Sequence, residues 1–141
     1  MSKIKNCFMD EQPDFYYPAI INDVDYGTMR HLTAEDWSFL SRYANKKLIT
    51  DKKGSPIEKD GRLQYEYDEI KLINGYLLCV FGGTDNAGNS RKLGEEGWNI
   101  DRDCTLENIN LLKTEIKTAL YDLVIKKQME FANQKEAIEK N

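Results

Sequence analysis

His31 is the only histidine in the 141 residues, so a hydrolase that needs an imidazole base would have to be built on it. No GxSxG elbow accompanies it, and it stands two residues before Thr33, where a helix is expected to start. The reading is a neutral or surface histidine, and no catalytic residue is assigned. The acid pairs Glu35-Asp36, Asp68-Glu69 and Glu95-Glu96 are sequence neighbours. Such neighbours make solvated faces more readily than the convergent carboxylates of a glycosidase. Cys7, Cys79 and Cys104 are odd in number and lack CxxC spacing, which fits neither a disulfide framework nor a zinc site. Cys79 lies in an apolar run and reads as an inert core thiol. Asp101 and Asp103 read as acids ahead of a helix start rather than ligands, so neither a metal nor a cofactor is expected.

The remaining chemical feature is the run Gly82-Gly83-Thr84-Asp85-Asn86-Ala87-Gly88-Asn89-Ser90-Arg91-Lys92. Its glycines leave many backbone N–H groups free, and it ends in two cations, a combination that suits a phosphate or an acidic side chain. It lacks the Lys-Ser/Thr of a P-loop and does not lead directly into a helix. Asp85, Asn86, Arg91 and Lys92 are the candidate binding residues, although five glycines between 82 and 97 also describe a plain mobile surface connection. An enzyme of unfamiliar type would have to use Asp85, Arg91 or His31.

The elements that must position these residues follow from period and caps. Tyr17 to Ile21 reads as a strand in which Pro18 suits an edge. Thr33, followed by Glu35 and Asp36, reads as the N-cap of a helix running to about Asn45, with Trp37, Leu40 and Ala44 on its apolar stripe and Phe39 and Tyr43 widening it. Lys47 to Asp51 reads as a strand, Lys52 to Ser55 as its turn and Ile57 as the start of the return. Asp68 to Ile73 and Tyr76 to Phe81 are β-prone runs around Asn74-Gly75, the dipeptide of a type I′ hairpin. Trp98 to Ile100 supplies a last short strand. From a Thr105 cap, Leu106, Ile109, Leu112, Ile116, Leu120 and Val124 form a seam that predicts one helix to Ile138, about 51 Å at 1.5 Å per residue and therefore too long for the globule. The fold class is α+β: a small antiparallel sheet of about four or five strands packed by two helices, the long C-terminal helix projecting. Residues 1–125 form a single domain and 126–141 a polar extension.

The stretch Leu48-Ile49-Thr50-Asp51-Lys52-Lys53-Gly54-Ser55-Pro56-Ile57, with Tyr65-Glu66-Tyr67-Asp68-Glu69-Ile70 and Asn74-Gly75-Tyr76, resembles a bacterial WG-type β-repeat, and Gly97-Trp98-Asn99-Ile100-Asp101 resembles the start of a second unit. The pattern covers residues 47–101. It departs from the repeat at Asn45-Lys46-Lys47, where an aromatic-glycine pair belongs, and at Glu58 to Leu63, which looks inserted. The resemblance implies a β scaffold and an interaction module, and carries over no catalytic residue.

Charge narrows the partners. Lys and Arg number 20 against 24 Asp and Glu, a net −4, split 10 against 13 over residues 1–70 and 10 against 11 over 71–141. Neither half is a nucleic-acid surface, so direct nucleic-acid binding is not expected. The longest apolar run is the six residues Tyr76 to Phe81, which encodes no membrane span, and the unpaired cysteines suit a reducing cytoplasm. The expected function is non-enzymatic protein binding, in the manner of a small inhibitor or immunity-type factor acting on a nucleic-acid enzyme with a basic surface. A composition rich in Lys, Asn, Asp and Tyr is common in phages and mobile elements. The alternative is a binder of a phosphorylated metabolite or nucleotide at residues 82–92. A weak homodimer through the C-terminal helix is also expected, using Leu120, Val124, Phe131 and Ile138.

Overall fold

The longest β structure grows from a two-residue turn. Asn22 and Asp23 take φ of 50° and 64°, the positive pair of a type I′ turn, and join β1 (Tyr16–Ile21) to β2 (Val24–Arg30) in an antiparallel hairpin. The computed structural model describes residues 3–45 and 47–140, with side chains described to residue 133. β1 is an edge strand, as Pro18 requires. β7 (Gly97–Trp98) pairs with the far side of β2 through Gly27 opposite Trp98. Gly27 has φ of 121°, and a Cβ there would stand 2.2 Å from the Gly97 carbonyl oxygen, so only glycine allows the two backbones to meet. This sheet has three strands, fewer than the four or five expected; the other strands form two separate two-stranded ribbons.

α1 (Ala34–Tyr43) starts where Thr33 predicts it. The Thr33 hydroxyl accepts from the Asp36 N–H while the Asp36 carboxylate accepts from the Thr33 N–H, a complete capping box. Leu40 and Ala44 are buried, whereas Trp37 remains 49% exposed.

The segment from 68 to 81 is a correction. The expected hairpin at Asn74-Gly75 is instead the middle of α2 (Glu69–Val80), capped by Asp68, whose side chain accepts from the Lys71 N–H at 3.2 Å. An unbroken apolar run looks the same in a buried strand and a buried helix, and residues 74–80 are all buried. Gly75 serves as a place without a side chain: a Cβ there would lie 2.6 Å from Leu40 Cδ2, so α1 and α2 touch across it.

The single helix expected from Thr105 is also divided. Thr105 caps α3 (Leu106–Asn110), the chain breaks at 111–113, and α4 (Thr114–Lys140) follows. Lys117 Nζ donates to the Asn110 carbonyl, one of those the break releases. The division lets Ile109 of α3 and Leu120 and Val124 of α4 all reach zero exposure in one core with α2 and β1. α4 stays on the body beyond Val124, since Phe131 packs on Phe15 and His31.

Between α1 and α2 the chain makes an excursion. β3 (Lys47–Leu48) pairs with β6 (Tyr65–Glu66), and β4 (Glu58–Lys59) pairs with β5 (Arg62–Leu63) across Asp60-Gly61, whose φ values of 54° and 76° form a second type I′ turn. The expected turn at Lys52 to Ser55 is present, with Asp51 Oδ1 accepting from the Lys53 and Ser55 N–H groups. The Asp68 N–H donates to the Ala44 carbonyl at 2.9 Å, which closes the base of the excursion.

Candidate functional site

The glycine-rich segment is held by charge rather than left mobile. Arg30, at the end of β2, is 1% exposed; its Nη1 meets Asp36 Oδ2 at 2.6 Å and its Nε meets Glu96 Oε1 at 3.3 Å. Nη1 also donates to the His31 carbonyl (2.9 Å), and Nη2 donates to the Arg91 carbonyl (2.7 Å) and to Asp36 Oδ1 (3.4 Å). Arg91 adds bonds of 3.2 Å and 3.1 Å to Asp36 Oδ1, stands 3.6 Å from Asp85, and lies 4.5 Å above the Phe39 ring. Two cations and three carboxylates are thus interleaved beneath the loop, and buried charges persist when each is paired in this way. Burial pushes the Asp36 carboxyl up, but the Arg30 guanidinium and the Thr33 donors outweigh it and hold the group below its usual range.

The loop itself is folded by Asp85. Its Oδ1 accepts from the Ala87 and Asn89 N–H groups, Thr84 bridges Ser90, and the Arg91 N–H donates to the Gly83 carbonyl. Glu96 Oε1 accepts the Leu93 N–H. Of the four binding candidates, Asp85 and Arg91 are brought together but are engaged inside the protein, Arg91 with 8% of its side chain exposed. Lys92 and Asn86 are exposed and face different clefts.

The larger cleft, about 510 Å³, opens between Gly82-Gly83-Thr84 on one side and Trp98, Arg102 and Cys104 on the other, with Lys92 at its wall. Burial pushes the Cys104 thiol up to about 12 and moves the Cys79 thiol, beside Arg91, upward as well. Both therefore stay protonated at neutral pH, as the sequence reading of Cys79 expects.

His31 is buried in an aromatic nest of Phe15, Tyr17 and Phe131, stacked 4.1 Å from the Phe131 ring at 17°. Nε2 must carry the hydrogen it donates to the Asp14 carbonyl (3.1 Å), and Nδ1 has no partner among the described residues. Burial lowers its pKa below 6.5; the Asp14 carbonyl, the Asp14 carboxylate and Glu130 oppose the fall, while Lys127 reinforces it. The folded state thus binds the proton less well than the unfolded chain. The stability due to neutral His31 is fully present above pH 6.5 and is lost as pH falls through the lowered folded value. Urea midpoints measured on either side of 6.5 are expected to fall on the acid side, and His31→Phe is expected to flatten that fall.

The residues chosen for self-association are placed otherwise. Leu120 and Val124 are wholly buried within the chain, Phe131 is half-buried against His31, and Ile138 lies outside the described side chains. The residues missed were Arg30, Asp36 and Glu96. Thr33 with an acid three residues later is a legible capping box, but nothing local distinguishes Arg30 from a surface arginine.

Neither family models, nor curated proteins, nor solved structures offer a match to this chain. No described helix is long and apolar enough to cross a membrane, and no described group of three or more His, Cys, Asp or Glu is arranged to hold a metal.

Proposed function

We propose that the chain is a protein-binding module that docks through the arm formed by residues 47–66. The observation that carries this reading is that the arm is ordered yet contributes nothing to the core: among its residues only Ile49 and Gln64 are even half-buried. Leu48 lies opposite Tyr65 across the β3–β6 ladder, and Leu63, the last residue of β5, stands two residues before Tyr65 in the chain, so the arm brings three apolar residues to its surface. They are 36%, 46% and 43% exposed, in the order Leu48, Tyr65, Leu63. Ordering twenty residues costs backbone entropy that burial normally offsets, and an ordered apolar face outside the core serves a partner.

Charge divides in a way that suits a protein partner. The arm holds five Lys and Arg against four Asp and Glu, +1, while the rest of the chain holds 15 against 20, −5. The acidic body steers toward a basic partner, such as a nucleic-acid enzyme that this module inhibits, and the arm supplies the apolar contact. The test is capture from the native host with the wild-type chain and with a Leu48→Lys/Leu63→Lys variant. The variant is expected to melt at the wild-type temperature and to lose the partner; equal capture by both contradicts the docking face.

A second reading rests on the 510 Å³ cleft, where Lys92, Arg102 and Trp98 suit a nucleotide or phosphorylated metabolite. Nucleotides at 100 times their dissociation constant would add about 2.7 kcal/mol of stability, readable as a thermal shift. An unmoved melting temperature removes that reading.

A further inference from the structure

A separate cleft of about 460 Å³ lies near the base of the arm, between the first turns of α2, the helix α3 and the tip of the 85–89 turn. Its wall carries three carboxamides from distant parts of the chain, Asn74, Asn86 and Asn110. Asn74 is 3% exposed on the buried face of α2, where its six successors through Val80 are all buried. Its Nδ2 donates to Asn110 Oδ1 at 3.1 Å, and its Oδ1 has no partner among the described residues. A primary amide offers two hydrogens and two lone pairs, so this buried group uses one of its four capacities. Asn110, by contrast, is exposed at the end of a five-residue helix and is free to turn toward solvent.

We propose that this cleft binds a planar edge presenting an N–H donor beside an acceptor, the edge shared by carboxamides and aminopurines, with Asn74 as the residue that reads it and Asn110 as the plug it displaces. The edge donates to Asn74 Oδ1 and accepts from Asn74 Nδ2, two hydrogen bonds in place of the single one that Asn110 makes. Side-chain carboxamides pair with amides and with adenine edges in this bidentate way. Asp68, Glu107 and Lys71 give the cleft a formal charge of −1, which disfavours anionic ligands and admits neutral or cationic ones. Ile70 and Leu106 provide apolar walls for a flat ring.

The test is a titration of the ¹⁵N-labelled full chain, followed through its side-chain amide signals. Nicotinamide is compared with N,N-dimethylnicotinamide, which is also neutral but lacks the N–H donor, and adenosine with purine riboside, which lacks the amino group. Nicotinamide or adenosine, or both, are expected to shift the Asn74 amide signals, and whichever acts identifies the source of the edge. The donor-lacking counterparts are expected to leave the Asn74 signals in place. Asn74→Leu should weaken binding by about tenfold or more, as loss of two hydrogen bonds implies. Asn110→Ala should bind as well as wild type or several-fold tighter, because the competing amide is gone. No shift with either amide probe, an equal shift with the donor-lacking compounds, or equal losses in the Asn74 and Asn110 variants would overturn the assignment. Should Asn74→Leu fail to fold, Asn74→Asp keeps the shape while removing the N–H donors, and it is expected to lose binding likewise.

Discussion

Arg30→Met is expected to destabilise the protein by about 3–5 kcal/mol, the usual result of removing one partner from a buried ionic network. Asp36 would keep Arg91 and Thr33, but Glu96 would keep only the Leu93 N–H and would stand as a fully buried carboxylate without a cation. The double variant Arg30→Met/Glu96→Gln should therefore recover a large part of the loss, because the amide carries no charge to compensate. Denaturant midpoints of the two variants read this directly. A loss below 1 kcal/mol for Arg30→Met, or no recovery in the double variant, would mean that the network is not what holds the 82–97 segment. Arg91→Glu is likewise expected to destabilise the fold, because a second carboxylate would replace the guanidinium that bonds Asp36 Oδ1 at 3.1 Å.

Gly75→Val is expected to cost about 1–3 kcal/mol by overpacking the α1–α2 contact. The first atom met is Leu40 Cδ2 at 2.6 Å and the next is Tyr43 Cδ1 at 3.2 Å, and Leu40 is only 1% exposed and has little room to retreat. A turn at Asn74-Gly75 would make the same substitution costly for a different reason, so the sign alone decides nothing. The discriminating quantity is the coupling with Leu40. In a Leu40→Ala background the valine finds space, and the two effects should fall short of their sum by 0.5 kcal/mol or more, on the scale of about 0.5–3 kcal/mol seen for touching residues. Strict additivity would place Gly75 away from α1.

What was legible in the chain depended on whether the signal was local. Thr33 and Thr105 were readable as caps because a hydroxyl followed by a polar first turn has one local use, and both cap helices here. Pro18 marked an edge strand because its missing N–H leaves few other places. Asn74-Gly75 reads as a type I′ turn, but Asn22-Asp23 and Asp60-Gly61 make such turns, since the dipeptide only permits positive φ and the flanking segments decide whether it is used. Tyr76 to Phe81 carries no period, and its helical state is set by burial against α1, α3 and α4, which are distant in sequence. The candidate residues divided for the same reason. Asp85 and Arg91 were visible as polar groups in a glycine-rich loop, but their internal engagement depends on Asp36 and Arg30, some sixty residues away. Phe131 was visible as an apolar residue on a polar helix, and its partner proved to be His31 of the same chain.

The separation of body from docking arm is tested most directly by a chain in which two glycines replace residues 46–66, joining Asn45 to Tyr67 where the Asp68 N–H already reaches the Ala44 carbonyl. Circular dichroism and thermal melting report the body, and capture from the native host reports the arm. The melting temperature is expected to stay unchanged, because none of the removed side chains described is buried, while the partner that the full chain captures is lost. Capture of that partner by the shortened chain at the wild-type level, or a body that no longer melts cooperatively, would contradict that separation.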